Sequence, residues 1–247
     1  MLKKNHPKIF ILLALMTLFL NYPSASAQVP TSPRAQEASR RVTPQLKKDF
    51  SKKGLTLGSP IFIRIFKEEK ELELWVKDDQ SFKLFKTYPI CTYGLGTLGP
   101  KTKKGDGQAP EGFYFVGPQQ LNPNSQFHLS FNLGYPNAYD RAYVRTGSAL
   151  MVHGNCVSIG CYAMTDEKIE EIYTISQAAL KKGQDFFRVH IFPFKMTQEN
   201  LKRHQASPWY NFWTNLKEGY DFFEKDKKSP PEVKVKNKKY VFEKENN

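Results

Sequence analysis

The chain has 247 residues, 40% of them hydrophobic, and a formal net charge of +13 at pH 7. This length is enough for one sizeable hydrophobic core. Three cysteines are too few for a disulfide scaffold and leave at least one thiol unpaired. The basic balance indicates an anionic surface as the working environment, such as a bacterial cell wall, acidic lipid or acidic polysaccharide.

Residues 1–27 have the pattern of a secretory signal peptide. Lysines precede an apolar run over residues 9–20, which is too short for a good membrane span, and residues 25–27 form a small-residue cleavage signature. Cleavage after Ala27 removes three lysines and lowers the net charge from +13 to +10. The alternative is a retained N-terminal anchor. We expect an exported chain with no stable membrane span after cleavage and no nucleic-acid partner.

Residues 28–41 are rich in Pro, Ser, Ala and Arg without periodicity, which predicts a flexible linker. Thr43 and Pro44 match the N-cap and first turn of a short helix that ends at Gly54. The apolar residues then change to a period of two, which is typical of an antiparallel meander. Its three strands are predicted at residues 61–66, 71–76 and 82–87.

The next segment is rich in glycine and lysine, from residue 94 to residue 107. Its spacing does not match a phosphate-binding loop, and we expect a mobile basic loop at the rim of a cleft. Further strands are predicted at 112–116 and at 126–131, and the second of these contains His128.

Residues 148–166 carry the strongest chemical signal in the chain. A buried strand predicted at 149–152 leads into His153, and Cys161 lies shortly before a helix that Thr165 caps. Because a free thiol is a hazard in an oxidising compartment, chemistry explains Cys161 better than packing does. A helix N-terminus and a histidine that can take the proton both favour the thiolate.

These residues suggest a cysteine nucleophile that attacks a carbonyl carbon. Cys161 is the candidate nucleophile, and His153 is the candidate general base. Ser158 would orient the histidine, and the backbone N–H groups at Gly160 and Tyr162 would stabilise the oxyanion. The alternative is that Cys161 is a buried structural cysteine.

Other hypotheses stay open at this point. A zinc site could combine His153 and Cys161 with Cys156 and one of Cys91 or His128, but the chain contains no tight Cys-x2-Cys pair. A non-catalytic wall-binding module could use the basic loop and the aromatic residues. Cys91 and Cys156 could also form a disulfide or remain two buried thiols. No metal or cofactor is expected.

Three residues are candidates for binding substrate. Arg141 and Arg145 precede the central strand and could bind a carboxylate bidentately, or only pair with Asp140. His128 is ambiguous and is kept with them. After the central stretch, the pattern predicts a helix from residue 166 to Gly183, a strand, two further helical segments and a basic, disordered tail. The strand, the helical segments and the tail are predicted at 186–192, 197–204, 209–223 and 224–247.

Separated motifs resemble the L,D-transpeptidase catalytic domain family of the YkuD type. His153-Gly154 followed by Ser158-Ile159-Gly160-Cys161 resembles the family signature, and residues 105–114 resemble the segment that precedes it. Residues 151–165 are closer still to a YafK-like, murein-acting subgroup. Residues 129–138, 145–149 and 187–194 also resemble that subgroup, so the resemblance covers residues 42–223.

The resemblance implies an α+β, β-rich fold with an L,D-transpeptidase-like β-sandwich or barrel core, flanking helices and a helical C-terminal extension. It implies a catalytic domain over residues 42–223 that acts in the periplasm. Its partners would be peptidoglycan stem peptides and, in the subgroup, a peptidoglycan-linked outer-membrane lipoprotein. The reaction would be acyl transfer at an L,D linkage of meso-diaminopimelate through a thioester on Cys161, with His153 as the family's histidine.

Two positions depart from the wider family pattern. Ile159 stands where a histidine is usual, and Ala163 stands where an arginine is common. The YafK-like subgroup shares both departures and is associated with hydrolysis. A hydrolase of the same fold is therefore the alternative function, either an amidase that releases the lipoprotein or an L,D-carboxypeptidase. The second alternative is the non-catalytic wall-binding module.

Overall fold

The computed structural model describes residues 2 and 28–244. Apart from Leu2, the predicted signal peptide lies outside the described residues, as do residues 245–247. The described chain forms two five-stranded sheets, a two-stranded hairpin and five α-helices. The helices are α1 (Pro33–Lys52), α2 (Ala138–Ala142), α3 (Asp166–Lys181), α4 (Gln198–Arg203) and α5 (Tyr210–Glu224).

The first sheet has the order β3-β2-β1-β10-β5. The predicted meander is confirmed, since β2 pairs antiparallel with both β1 and β3. Every residue of β1 is buried, because one face of the sheet meets the main core and the other face meets α5. The strands are β1 (Ile61–Phe66), β2 (Glu71–Lys77), β3 (Phe82–Pro89), β5 (Gly112–Val116) and β10 (Phe187–Phe192).

The second sheet has the order β4-β9-β8-β7-β6 and carries the central stretch of the sequence. Its strands are short, and β8 pairs parallel with β9 but antiparallel with β7. The strands are β4 (Thr92–Tyr93), β6 (Leu121–Asn122), β7 (Ser130–Asn132), β8 (Met151–His153) and β9 (Tyr162–Ala163).

One hydrophobic core joins both sheets. Ile63 and Ile65 of the first sheet, Val152 and Tyr162 of the second, and Ile172 of α3 all belong to it and are at most 1% exposed. The helix predicted after the central stretch is confirmed, with Thr165 at its N-cap position. The predicted α+β, β-rich fold class is therefore confirmed.

The prediction of a flexible linker is wrong from Pro33 onward. Ser32 caps α1 by accepting a hydrogen bond from the Ala35 N–H at 3.2 Å, and Pro33 occupies the first turn. The helix therefore starts eleven residues before the predicted Thr43-Pro44 start, and Pro44 lies inside it. Ala35 and Ala38 are buried where α1 packs along α3. Because alanine side chains are small, this buried face is not evident from the hydrophobicity of the sequence.

The tail is not disordered over residues 232–243. β11 (Glu232–Lys236) and β12 (Lys239–Glu243) form an antiparallel hairpin. Asn237 and Lys238 in its turn both have positive φ, the geometry of tight hairpin turns. Asn215 of α5 bonds both backbone groups of Tyr240, donating to its carbonyl and accepting from its N–H. Valines alternate with lysines in β11, a pattern that indicates a strand, but the high lysine content favoured the prediction of a disordered tail.

Two further boundaries differ from the predictions. His128 precedes β7 and has a φ of +66°, so it does not lie in a strand. Ala149 also has positive φ, so the central strand starts at Met151 and includes His153. Within residues 28–244, no helix is long and apolar enough to cross a membrane.

The packing of α1 can be tested with a pair of substitutions. Ala38→Asp should lower the free energy of unfolding by about 2 kcal/mol or more, because it places an unpaired carboxylate in the core. Gln36→Asp at an exposed position of the same helix is the control and should change it by less than about 0.5 kcal/mol. Urea denaturation of the mature chain measures both. If both substitutions changed the free energy of unfolding by a similarly small amount, residues 33–41 would be a linker, as the sequence predicted.

Candidate active site

The pairing of β8 with β9 sets the geometry of the site. The parallel register matches Val152 with Tyr162 and His153 with Ala163. Continuing it by one residue places Cys161 beside Met151, whose N–H lies 3.4 Å from the Cys161 sulfur. Because side chains alternate between faces along a strand, Met151 and His153 point to the same face. Cys161 and His153 are therefore diagonal neighbours on that face.

Gly154 is required by the close approach of α3. A Cβ at this position would lie 2.5 Å from Oδ1 of Asp166 and 3.0 Å from Cγ2 of Ile169. The same Asp166 oxygen accepts the Asn155 N–H at 2.7 Å. The glycine after the histidine thus lets the start of α3 pack directly against the end of β8.

The loop over residues 154–161 makes a tight turn between two parallel strands. Asn155 and Cys156 have φ values of +64° and +44°, in the left-handed region that non-glycine residues rarely adopt. A disulfide joins Cys156 to Cys91, which immediately precedes β4, with 5.3 Å between the Cα atoms. The Cys156 N–H also donates to the Met164 carbonyl at 3.0 Å. These bonds fix the first half of the loop.

Ser158 fixes the second half of the loop. Its hydroxyl donates to the Cys161 carbonyl at 2.7 Å and accepts the Gly160 N–H at 3.0 Å. The Gly94 N–H donates to it as well, at 3.3 Å. The prediction that Ser158 orients His153 is therefore wrong, because its single proton is used within the cysteine loop. The Gly160 N–H is likewise engaged and is not a free oxyanion donor.

His153 is held by its own chain. Its Nδ1 lies 2.6 Å from the Gly154 carbonyl, and because a carbonyl can only accept, Nδ1 must carry the proton. Nε2 is left as the acceptor, the form a general base requires. The ring is 1% exposed and packs on Phe127 at a centroid distance of 4.6 Å. Burial lowers the pKa of His153, against the opposing effect of the Gly154 carbonyl, so the neutral base is favoured.

Cys161 is the free thiol of the chain, since the other two cysteines form the disulfide. It is partly exposed, and its sulfur lies 3.6 Å from the Ala149 carbonyl. Burial raises the pKa of the Cys161 thiol, while the Met151 N–H and the charge of Lys101 act in the opposite direction. The resting pair is accordingly a neutral thiol and a neutral imidazole rather than a preformed ion pair.

Both side chains open into one groove of about 310 Å³. Its walls are largely apolar, with Phe127, Leu150, Val157 and Ile159 among the lining residues. The basic loop forms part of the rim, as predicted, through Lys101 and Lys104; the other lining residues are Gly105, Gly147, Ser148, Ala149, Met151, Ser158 and Gly160.

The basic loop is tied down by Asp106. Its carboxylate accepts a hydrogen bond from Lys101 Nζ at 2.7 Å and from the Thr102 N–H at 2.8 Å. The Lys103 and Gln108 N–H groups also donate to it, at 2.9 Å and 3.0 Å. Sequence reasoning missed Lys101 and Phe127 as parts of the site. A lysine followed five residues later by an aspartate in a glycine-rich turn was the available signal for Lys101.

The three predicted substrate-binding residues are not among those that line this groove. Arg145 pairs with Asp140 at 2.9 Å in an aromatic setting that includes Tyr139 and Phe212, so it is committed to a structural ion pair. Arg141 donates to the Pro136 carbonyl. His128 Nε2 lies 2.7 Å from a carboxylate oxygen of Glu170. The zinc hypothesis also loses its support, because the disulfide engages the sulfurs of both Cys91 and Cys156.

Tyr162 lies within β9, between β4 and β8, and its hydroxyl donates to the Pro110 carbonyl at 2.7 Å. A role for its backbone N–H in binding an oxyanion remains a prediction. Ile159 is 93% exposed at the groove, whereas Ala163 is fully buried beside His153. A longer side chain at position 163 would have to displace its neighbours.

Comparisons with known proteins agree with the motifs. The sequence profile of the family described as "YkuD: L,D-transpeptidase catalytic domain" matches residues 60–191. The chain is 50% identical over 188 residues to a protein of Escherichia coli K12 provisionally named L,D-transpeptidase YafK, covering 76% of each chain. The same identity and coverage hold for YafK of Escherichia coli O157:H7.

Two solved structures are similar at a greater distance. The helical cell shape determining protein Pgp2 from Campylobacter jejuni matches 76% of this chain and 79% of its own, with a TM-score of 0.43 and 18% identity. Bd1075 of Bdellovibrio bacteriovorus matches 72% of this chain and 78% of its own, with a TM-score of 0.39 and 17% identity. At these scores the family assignment depends on the sequence matches.

The role of Ser158 can be tested without substrate. Ser158→Ala should lower the free energy of unfolding by about 1 kcal/mol, because it removes the hydroxyl that donates to the Cys161 carbonyl and accepts the Gly160 N–H. The pKa of His153, followed by NMR of its ring protons, should not change, since the two side chains are not bonded. Ser148→Ala, at an exposed position of the groove, is the control. A changed histidine titration in Ser158→Ala would restore the orienting role.

Proposed function

The chain belongs to the L,D-transpeptidase catalytic domain family, and we propose from this that it is a periplasmic enzyme that transfers an acyl group from peptidoglycan stem peptides through Cys161. The observation that carries the proposal is the groove itself. It holds a single free thiol and a neutral histidine on one face of one sheet. That pairing is the minimum needed for nucleophilic catalysis by cysteine.

The bonds of the first step follow from the protonation states. The Cys161 proton moves to Nε2 of His153 while the sulfur attacks the carbonyl carbon of the scissile amide. The carbon–sulfur bond forms, and the carbonyl electron pair moves to oxygen. When that pair returns, the carbon–nitrogen bond breaks, and the leaving nitrogen takes the proton from His153. A thioester on Cys161 and a free amine result.

The second step repeats these proton and electron-pair transfers with a new acceptor. An acceptor amine or a water molecule gives its proton to His153 and attacks the thioester carbonyl. The carbon–sulfur bond breaks, and the proton returns to the Cys161 sulfur. An amine acceptor gives transpeptidation, whereas water gives hydrolysis. The scissile linkage is proposed to be the L,D bond of meso-diaminopimelate, by analogy with the family.

The proposed compartment rests on two features of the sequence and structure. The N-terminal segment has the pattern of a cleavable signal peptide. The disulfide between Cys91 and Cys156 stands next to the nucleophile loop, and such bonds persist in oxidising compartments such as the periplasm. The net positive charge suits an anionic cell wall.

The reaction can be identified by mass spectrometry of muropeptides after incubation with purified peptidoglycan, both free and lipoprotein-linked. We expect wild type to give a shortened stem, a new cross-link or a released lipoprotein peptide, and Cys161→Ala to give none of them while it keeps the wild-type melting temperature. His153→Ala should be slower by about 10² or more, as for the loss of a general base.

The controls separate catalysis from simple binding. Ser51→Ala, at an exposed position of α1 outside the groove, should remain active. An active Cys161→Ala variant would refute the nucleophile. Cosedimentation of the protein with peptidoglycan, with no product from wild type, would instead favour the non-catalytic wall-binding module.

The pH dependence of kcat/KM distinguishes a reactive neutral pair from a thiolate that must form before substrate binds. Neutral His153 is required, and burial lowers its pKa, so activity should be retained as pH falls and should be lost only below about 6.5. If the thiolate had to form before substrate bound, activity would rise only near or above about pH 8.5, because the pKa of Cys161 is raised. If kcat/KM rises only near or above about pH 8.5, the proposed proton transfer is contradicted.

A further inference from the structure

Lys101 is an unusual component of an apolar groove. It is 5% exposed, yet it lines the same groove as Cys161. Its stem is fixed by close packing, because a Cβ on Gly147 would lie 2.8 Å from Cε of Lys101. The Tyr135 hydroxyl also donates to the Lys101 carbonyl at 3.3 Å. The ammonium group is therefore held in place before any substrate arrives.

The ion pair between Lys101 and Asp106 has its positive end toward the groove, because Lys101 lines the groove and Asp106 does not. Lys101 Nζ donates to Asp106 at 2.7 Å and to the Lys103 carbonyl at 3.1 Å, which uses two of its three N–H bonds. Asp106 also accepts three backbone N–H groups, which hold the turn without the lysine. The backbone bonds close the turn around Asp106, and Lys101 adds the positively charged group that lines the groove.

The charge has few competitors in the groove. The other titratable side chains that line it with Cys161 are His153 on β8 and Lys104 on the basic loop. No carboxylate is among the lining residues. In a site with apolar walls a fixed positive charge stabilises a developing anion more than it would in water. The charge of Lys101 opposes the increase that burial causes in the pKa of Cys161.

We propose that Lys101 is a positioning residue that keeps a fixed positive charge at the groove and stabilises the negative charge that forms on the Cys161 sulfur when its proton leaves. The inference rests on the proposed nucleophilic role of Cys161. Its test needs no substrate, because it measures the thiol itself.

The experiment follows alkylation of the mature chain by iodoacetamide between pH 6 and 10, with intact-protein mass spectrometry. Cys161 is the free thiol, and Cys161→Ala gives the background. Lys101→Met keeps the stem and removes the charge. It should shift the rate–pH curve to higher pH and lower the rate at pH 7 roughly three- to tenfold, as for the loss of a nearby opposite charge. Lys101→Arg keeps the positive charge and should give the same rate–pH curve as wild type.

Lys103→Gln is the matched control, since Lys103 is an exposed lysine on the same loop and does not line the groove. Its curve should match wild type. A loosened loop would lower the melting temperature and, by exposing Cys161, would shift the midpoint to lower pH, because burial raises the pKa of the thiol. If Lys101→Met leaves the midpoint unchanged, or if Lys103→Gln moves it equally, the inference is wrong. Should Lys101→Met not fold, the comparison uses Lys101→Gln with the same criteria.

The outcomes for Lys101 and for the proposed function are separable. A shifted midpoint together with no product from peptidoglycan would keep the electrostatic role and refute the reaction. An unshifted midpoint together with normal turnover would refute the role of Lys101 and leave the reaction in place.

Discussion

The site depends on the parallel pairing of β8 with β9, which consists of only two residue pairs, Val152 with Tyr162 and His153 with Ala163. That register puts the histidine and the thiol on one face. Parallel neighbours usually need a crossover of a dozen or more residues, but here residues 154–161 make the connection without a helix. So short a ladder cannot hold the register alone, and the bonds around the loop supply what it lacks.

Those bonds come from three directions. The disulfide from Cys91 and the hydroxyl of Ser158 fix the loop from within the second sheet. Asp166 fixes it from the start of α3. Lys67 and Glu111 form a fully buried ion pair at 3.0 Å, and Lys67 also donates to the carbonyls of Gly99, within the basic loop, and Ala109, just after it. Breaking such a pair leaves a buried charge, so the loop that carries Lys101 is anchored in the core. Glu111 also accepts from Trp213 at 2.8 Å, which connects α5 to this ion pair.

The sequence predicted the elements whose signals are local. The meander shows a period of two, and α3 shows a capped amphipathic pattern, so both appeared where expected. His153 and Cys161 were found from a short motif and its resemblance to a family. The role of Ser158 was misassigned because its partners are set by the loop conformation, which no spacing rule encodes. For Arg145 the sequence left two alternatives, and the structure shows the pairing with Asp140. Lys101 was missed as a site residue because it reaches the groove only through folding of residues far apart in the chain.

If Cys161 is the nucleophile, a peptidoglycan acyl group becomes bonded to its sulfur during turnover. This can be measured by rapid mixing of the mature chain with purified muropeptides, acid quenching at times from milliseconds to minutes, and intact-protein mass spectrometry. We expect a transient mass increase equal to the acyl part of the stem peptide, located on Cys161 by peptide mapping and removed by hydroxylamine. Product formation with no protein-bound acyl group at any time, or with the adduct on another residue, would contradict it.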